Sequence, residues 1–151
     1  MATEFSVIRD FARAAIGDFG IRDEQGDVVT LSKDFHNDDI DSVIALKMKR
    51  FPNHSVNASE ISPTLTSNEE GAIAYWVALC LALPAGTFSI DAPNMKYWAQ
   101  ANLELISHLL GELKYYLDSG DIGPSIWGTL DQYYNEGQLI VDRVSEAVGA
   151  V

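Results

Sequence analysis

Lys33-Asp34-Phe35-His36-Asn37-Asp38-Asp39-Ile40-Asp41-Ser42-Val43-Ile44 reads as the start of an amphipathic helix. Asn37 is a capping residue, whose side-chain oxygen can accept from a free backbone N–H two or three residues on. Asp38, Asp39 and Asp41 lie in the first turn, where the helix dipole is positive, so they need no catalytic explanation. Ile40, Val43, Ile44, Met48 and Phe51 then recur at helical spacing, and Pro52 stops the run. The spacing predicts a helix over 38–51.

The same periodicity extends in both directions. Upstream, Thr3 is positioned to cap a first helix running to Gly17, with Val7, Ile8, Phe11, Ala12 and Ala15 as its apolar stripe. Ile21 to Leu31 reads as a hairpin-like excursion, turning at Gln25-Gly26-Asp27 before the β-branched Val28-Val29-Thr30. Downstream, residues 52–66 are loop by composition. Ser67 with Glu70 three residues later forms a capping box for a third helix over 68–83. That helix is apolar nearly all round, which predicts the most buried element.

Pro84-Ala85-Gly86 breaks the chain, Thr87–Ile90 is a short extended piece, and Asp91-Ala92-Pro93 starts a fourth helix to Asp118. Trp98, Asn102, Leu105, Ile106, Leu109, Leu113, Tyr116 and Leu117 mark its stripe; at 1.5 Å per residue it would be roughly 40 Å long. After Ser119-Gly120-Asp121-Ile122-Gly123-Pro124, a fifth helix covers 125–147, with Leu130, Tyr133, Tyr134, Ile140, Val141, Val144 and Val148 apolar. Gly128 and Gly137 weaken it by roughly 1 kcal/mol each relative to Ala. It therefore needs a partner surface, within the subunit or beyond it. The expected fold is all-α: a single domain over 1–151, a bundle of four to five helices with a small hairpin-like insertion after the first.

Composition bounds the function. The chain has 151 residues, 47% of them hydrophobic, enough for a real core. Its formal charge is −12, from 22 acids against 10 bases, and so acidic a surface repels a nucleic-acid backbone. One cysteine, Cys80, excludes an internal disulfide and a cysteine zinc cage, and its apolar surroundings favour a buried thiol. No basic leader with a following apolar block is visible, and the longest apolar run, 72–83, is too short to span a bilayer. The expectation is a protein made in a reducing cytoplasm, where the acceptor-like Asn53-His54-Ser55 and Asn57-Ala58-Ser59 are coincidences.

Reaction chemistry finds little support. His36 sits among Asp34, Asp38, Asp39 and Asp41, but nearly contiguous residues cannot all face one cation, and the glycine of a calcium loop is missing. Glu104 and His108 are spaced i, i+4, not the i, i+3 of di-iron bundles. There is no phosphate-binding glycine loop and no Gly-x-Ser-x-Gly elbow. Lys47, Lys49 and Arg50 complement the dipole at a helix end. The aromatic residues are mostly core at helical spacing, with some suited to an interface. No catalytic residue, metal or cofactor is expected.

Two features together carry a resemblance. One is the short helix Val7–Ile16 ending in Gly17-Asp18, then, after a variable loop, the capped acidic start Phe35–Ile44. The other is the apolar third helix followed by Phe88-Ser89-Ile90-Asp91-Ala92-Pro93-Asn94-Met95-Lys96-Tyr97-Trp98, leading into a long helix. Over roughly residues 5–118 this resembles the head–tail connector proteins of tailed bacteriophages, also called adaptor or head-completion proteins. The resemblance implies a structural virion protein of the neck, made in the host cytoplasm. It implies a homo-oligomeric ring, usually of twelve copies, between the portal protein and a tail or stopper protein, with no membrane involved. Double-stranded DNA would pass through the ring without specific binding. The family's C-terminal segment commonly docks on the portal. Carried to this chain, 125–151 becomes the candidate docking helix, with Trp127, Leu130, Tyr133, Tyr134, Ile140, Val144 and Val148 as docking residues. The loop from Pro52 to Thr66 is a candidate contact for the next component. The alternative reading of the same residues is a small cytoplasmic helical binding or regulatory module acting as a homo-oligomer.

Overall fold

The computed structural model describes residues 2–17, 21–22, 28–29, 37–82 and 103–149. The described elements are β1 (Thr3–Glu4), α1 (Phe5–Gly17), β2 (Ile21–Arg22), β3 (Val28–Val29), α2 (Asn37–Met48), β4 (Ser55–Asn57), β5 (Glu60–Ser62), α3 (Ser67–Ala82), α4 (Leu103–Asp118) and α5 (Pro124–Gly149). The all-α expectation holds: these helices form a bundle, and β2 pairs antiparallel with β3 in the expected insertion. The insertion's turn at 25–27, the residues Asp34 to His36, the break at 84–86, the extended piece at 87–90 and the start of the fourth helix with Trp98 and Asn102 lie outside the described residues.

Helix α3 is the axis of the bundle and packs against each of the other four described helices. Ala72, Ile73, Ala74, Trp76, Val77, Ala78 and Leu79 are all buried, as a helix without a polar face requires. Ile8 and Ala12 from α1, Ile40, Ile44 and Met48 from α2, Leu109, Leu110 and Leu113 from α4, and Ile126 and Leu130 from α5 close around it. Phe11, Tyr75 and Tyr116 meet edge-on or tilted where α1, α3 and α4 converge, with ring centroids 5.5 to 6.0 Å apart. The Tyr116 ring lies directly on the backbone of Gly71, where a Cβ would run into it. Burial, reinforced by Glu112, holds both the Tyr75 and Tyr116 hydroxyls above the usual phenol range.

Several local expectations are corrected. Thr3 does not cap α1. It lies in β1, paired with Ile61, and its Oγ1 accepts from the Leu65 N–H at 2.9 Å. Residues 52–66 are not simply loop: β4 and β5 form a hairpin that β1 joins, giving the order β1-β5-β4. Its two-residue turn, Ala58-Ser59, takes positive φ of 52° and 65°, the twist that suits a tight hairpin. Asn37 is itself helical, and its Oδ1 accepts from Arg13 at 2.8 Å. Asp41, read as a dipole partner, instead holds Arg9 of α1 at 2.8 Å. Arg9 and Arg13, one turn apart, thus fasten α1 to the start of α2. The capping box is displaced by one residue. Thr66 and Glu69 form it, the Glu69 N–H donating to Thr66 Oγ1 at 3.1 Å and the Thr66 N–H to Glu69 Oε1 at 2.9 Å.

Candidate functional site

The terminal helix α5 is positioned by the turn before it. Gly120 and Asp121 follow α4 with positive φ of 82° and 56°, and Pro124 occupies the first turn of α5, where no N–H is missed. This turn is bolted to the beginning of α3. Thr66 Oγ1 donates to the Asp121 carbonyl at 2.7 Å, Asn68 Nδ2 to the Gly120 carbonyl at 2.9 Å, and the Gly123 N–H to Glu69 Oε2 at 3.0 Å. Glu69 is only 6% exposed and uses both carboxylate oxygens, one for its own helix and one for the α4–α5 turn. Trp127 completes the fixture by donating from Nε1 to the Leu117 carbonyl at 3.0 Å.

From there the docking candidates divide. Leu130 is fully buried and Ile140 nearly so, alongside Val141, so these side chains belong to the subunit's own core. Tyr133 is half-buried, its ring 6.1 Å from Trp76, and burial pushes its hydroxyl far up. Tyr134 lies under Lys114, whose Nζ is 5.5 Å from the ring centroid. Lys114 itself is held charged by Asp118, 3.1 Å away. Trp127 keeps 40% of its surface exposed. The side chains of Val144 and Val148 lie outside the described residues. Gly137, expected only to weaken the helix, is buried on the same stripe.

Leu139 was not among the candidates, and among the described side chains of α5 it is the most exposed large apolar one, at 57%. With Glu136, Ile140 and Arg143 it lines a shallow cleft of about 210 Å³. Its sequence signal is that it stands off the 130–134–137–141 stripe, so it cannot face the core that the stripe faces. Asp142, Arg143, Ser145 and Glu146 beyond it are exposed.

Other chemistry-bearing residues are placed as follows. His36 lies outside the described residues, and His108 is exposed on α4. His54 is half-buried, and its Nδ1, like the buried Trp76 Nε1, has no hydrogen-bond partner among the described residues. Cys80 is half-buried in contact with Tyr133, and burial pushes its thiol up against the opposing pull of nearby Lys47. Lys47 in turn sits 5.3 Å over the Trp76 ring. A polar concavity of about 250 Å³, lined by Glu4, Ser6, Arg9, Asp41 and Glu60 among others, has its one cation already paired with Asp41. No group of three or more His, Cys, Asp or Glu among the described residues is placed to hold a metal ion. No helix among them is long and apolar enough to cross a membrane. Comparisons of the chain with protein-family models, curated proteins and solved structures found no match.

Proposed function

We propose that this protein is a non-enzymatic virion component of a tailed bacteriophage, a head–tail connector that forms a ring between the portal and the tail or stopper. The observation that carries the docking part of the reading is Leu139: a large apolar side chain on the outer side of the terminal helix, beside a shallow cleft, doing nothing for its own core. The bundle of helices and the resemblance of residues 5–118 supply the rest. The formal charge of −12 suits a DNA channel, because like charge keeps phosphate contacts from forming.

In this reading the outer side of α5 around Leu139 docks on the portal. Leu130 and Ile140 hold α5 to the subunit instead. Removing 125–151 is therefore a poor test, since it would also strip Ile126 and Leu130 from the core. The better test mixes the full chain with the portal of the same genome and follows complex formation by sedimentation. The Leu139→Asp variant should fold normally and lose binding. Normal binding by Leu139→Asp would overturn the docking surface, and absence of any complex with the unaltered chain would overturn the connector reading. Self-association without portal binding would favour the homo-oligomeric binding module.

A further inference from the structure

Helix α4 turns Lys114 toward Tyr134 of α5 and turns Tyr116 the other way, toward Phe11 of α1. On that second flank an aromatic surface reaches solvent. Phe11, Tyr75 and Tyr116 are each half-buried, and Tyr115, 65% exposed, stands edge-on to Tyr116 with ring centroids 5.4 Å apart. Val7, one turn before Phe11 on α1, extends the surface and is 42% exposed. The rings are held from below and from the side: Tyr116 rests on the Gly71 backbone, and Phe11, Tyr75 and Tyr116 brace one another.

A carboxylate stands among these rings. Glu112 is half-buried, one helical turn before Tyr115 and Tyr116, and its charge acts on the phenol groups of both Tyr75 and Tyr116. Among the described residues no Lys, Arg or His lies at ion-pair distance from it. The bases of α1 are turned toward α2, Arg9 to Asp41 and Arg13 to Asn37. We propose that this surface receives an arginine side chain of another protein, its guanidinium paired with Glu112 and stacked against the Tyr115 and Tyr116 rings.

Other occupants fail on one or another of these groups. A purely apolar segment would cover Glu112 and leave its charge without a partner, which is costly. An anion is repelled by Glu112 and by the formal charge of −12 on the whole chain. An ammonium group would pair with the carboxylate, but it is a compact, strongly hydrated point charge with no flat face to set against a ring. A guanidinium is planar and more weakly hydrated, so it can lie on an aromatic ring while its N–H fork bonds a carboxylate. The phenol oxygens of Tyr75 and Tyr116, close to the carboxylate, are further acceptors for its remaining N–H groups. This surface shares no residue with the one around Leu139, and the proposal stands without the connector reading.

The test is an NMR titration of the full chain with acetyl-Gly-Arg-Gly-amide. The same peptide is made with lysine, and with citrulline, which keeps the shape of arginine without its charge. The arginine peptide should give saturable shifts gathered at Val7, Phe11, Tyr75, Glu112, Tyr115 and Tyr116. The citrulline peptide should bind about tenfold more weakly, and Glu112→Gln should weaken the arginine peptide by a similar factor. Tyr115→Ala should weaken it about threefold. Tyr115 is exposed and Glu112 half-buried, so circular dichroism of both variants should match the unaltered chain. Glu146→Gln, at an exposed position of α5, should change nothing, which separates the site from the general pull of an acidic chain on a cation. The proposal is overturned by arginine and citrulline peptides that bind equally, by a lysine peptide as tight as the arginine one, or by Glu112→Gln binding as the unaltered chain does. Shifts gathered on other acidic segments, or no saturation by about 50 mM peptide, would overturn it too.

Discussion

Replacing Glu69 by alanine tests how α5 is held to the bundle. The carboxylate accepts from the Thr66 N–H at 2.9 Å and the Gly123 N–H at 3.0 Å, and the alanine variant leaves both donors without their partner. Hydrogen bonds to a charged acceptor contribute about 1.5–3 kcal/mol each. Thr66 and Gly123 are only half-buried, so water recovers part of the loss and about 1.2 kcal/mol remains for each bond. Alanine's better helix propensity returns a few tenths of a kcal/mol, on the order of 0.3. The net destabilisation is about 2 kcal/mol, a large share of the ~5–15 kcal/mol of a typical domain. In urea, with a slope of about 2 kcal/mol/M, the midpoint should fall by ~1 M with the slope unchanged. The melting temperature should fall by roughly 4–8 °C. Glu69→Gln keeps one acceptor and turns a donor toward the other N–H, so it should lose about half as much. Unfolding followed by circular dichroism and by tryptophan fluorescence gives both numbers, Trp127 reporting on the fixture itself. A Glu69→Ala variant within ~0.5 kcal/mol of the unaltered chain would refute the idea that this carboxylate joins α3 to the α4–α5 turn.

Three further outcomes are expected. Gly71→Ala should destabilise by about 1–3 kcal/mol despite alanine's helix propensity, because the new methyl meets the Tyr116 ring; in a Tyr116→Ala background most of that cost should disappear from a double-mutant cycle. Gly128→Ala should stabilise by about 0.5–1 kcal/mol in denaturant titration, since the position is helical and a Cβ there meets nothing within 4 Å. At high pH, Tyr75 and Tyr116 stay protonated in the folded chain where unfolded tyrosine ionises. Their raised values therefore add stability below pH 10, the ordinary value, that is lost as pH rises past it. Tyrosinate absorbance at 295 nm should rise late and together with loss of helical dichroism, and an ordinary titration with the helices intact would contradict this.

The helices were legible because burial leaves a period of 3.6 in the sequence: Ile40, Ile44 and Met48, or Leu105, Ile106, Leu109 and Leu113, point one way and are found there. The β4–β5 hairpin was not, because its turn is Ala58-Ser59, with none of the glycine or asparagine that normally signals paired positive φ. The start of α3 was ambiguous by one residue. Thr66 and Ser67 both cap well, and each has a glutamate three positions on; the choice falls to Thr66 and Glu69 because both also bond the distant 121–123 turn. The candidate site was legible by halves. An apolar stripe on α5 demands a covering surface but does not say whose, and Leu130 and Ile140 found it in their own subunit. Leu139 carries its meaning only by standing out of phase with that stripe.

The way α5 is attached has a consequence for how the molecule breathes. This helix rests chiefly on α4 and secondarily on α3, while α1, α2 and the small sheet gather on the other neighbours of α3. Its detachment would leave the β1-β5-β4 pairing and the Arg9–Asp41 link untouched. The C-terminal rod is thus the natural unit of partial opening, exchanging its amide hydrogens with solvent well before the rest of the protein does. Covering Leu139 would then slow deuterium uptake along a whole helix, so that a local attachment is felt over its full length.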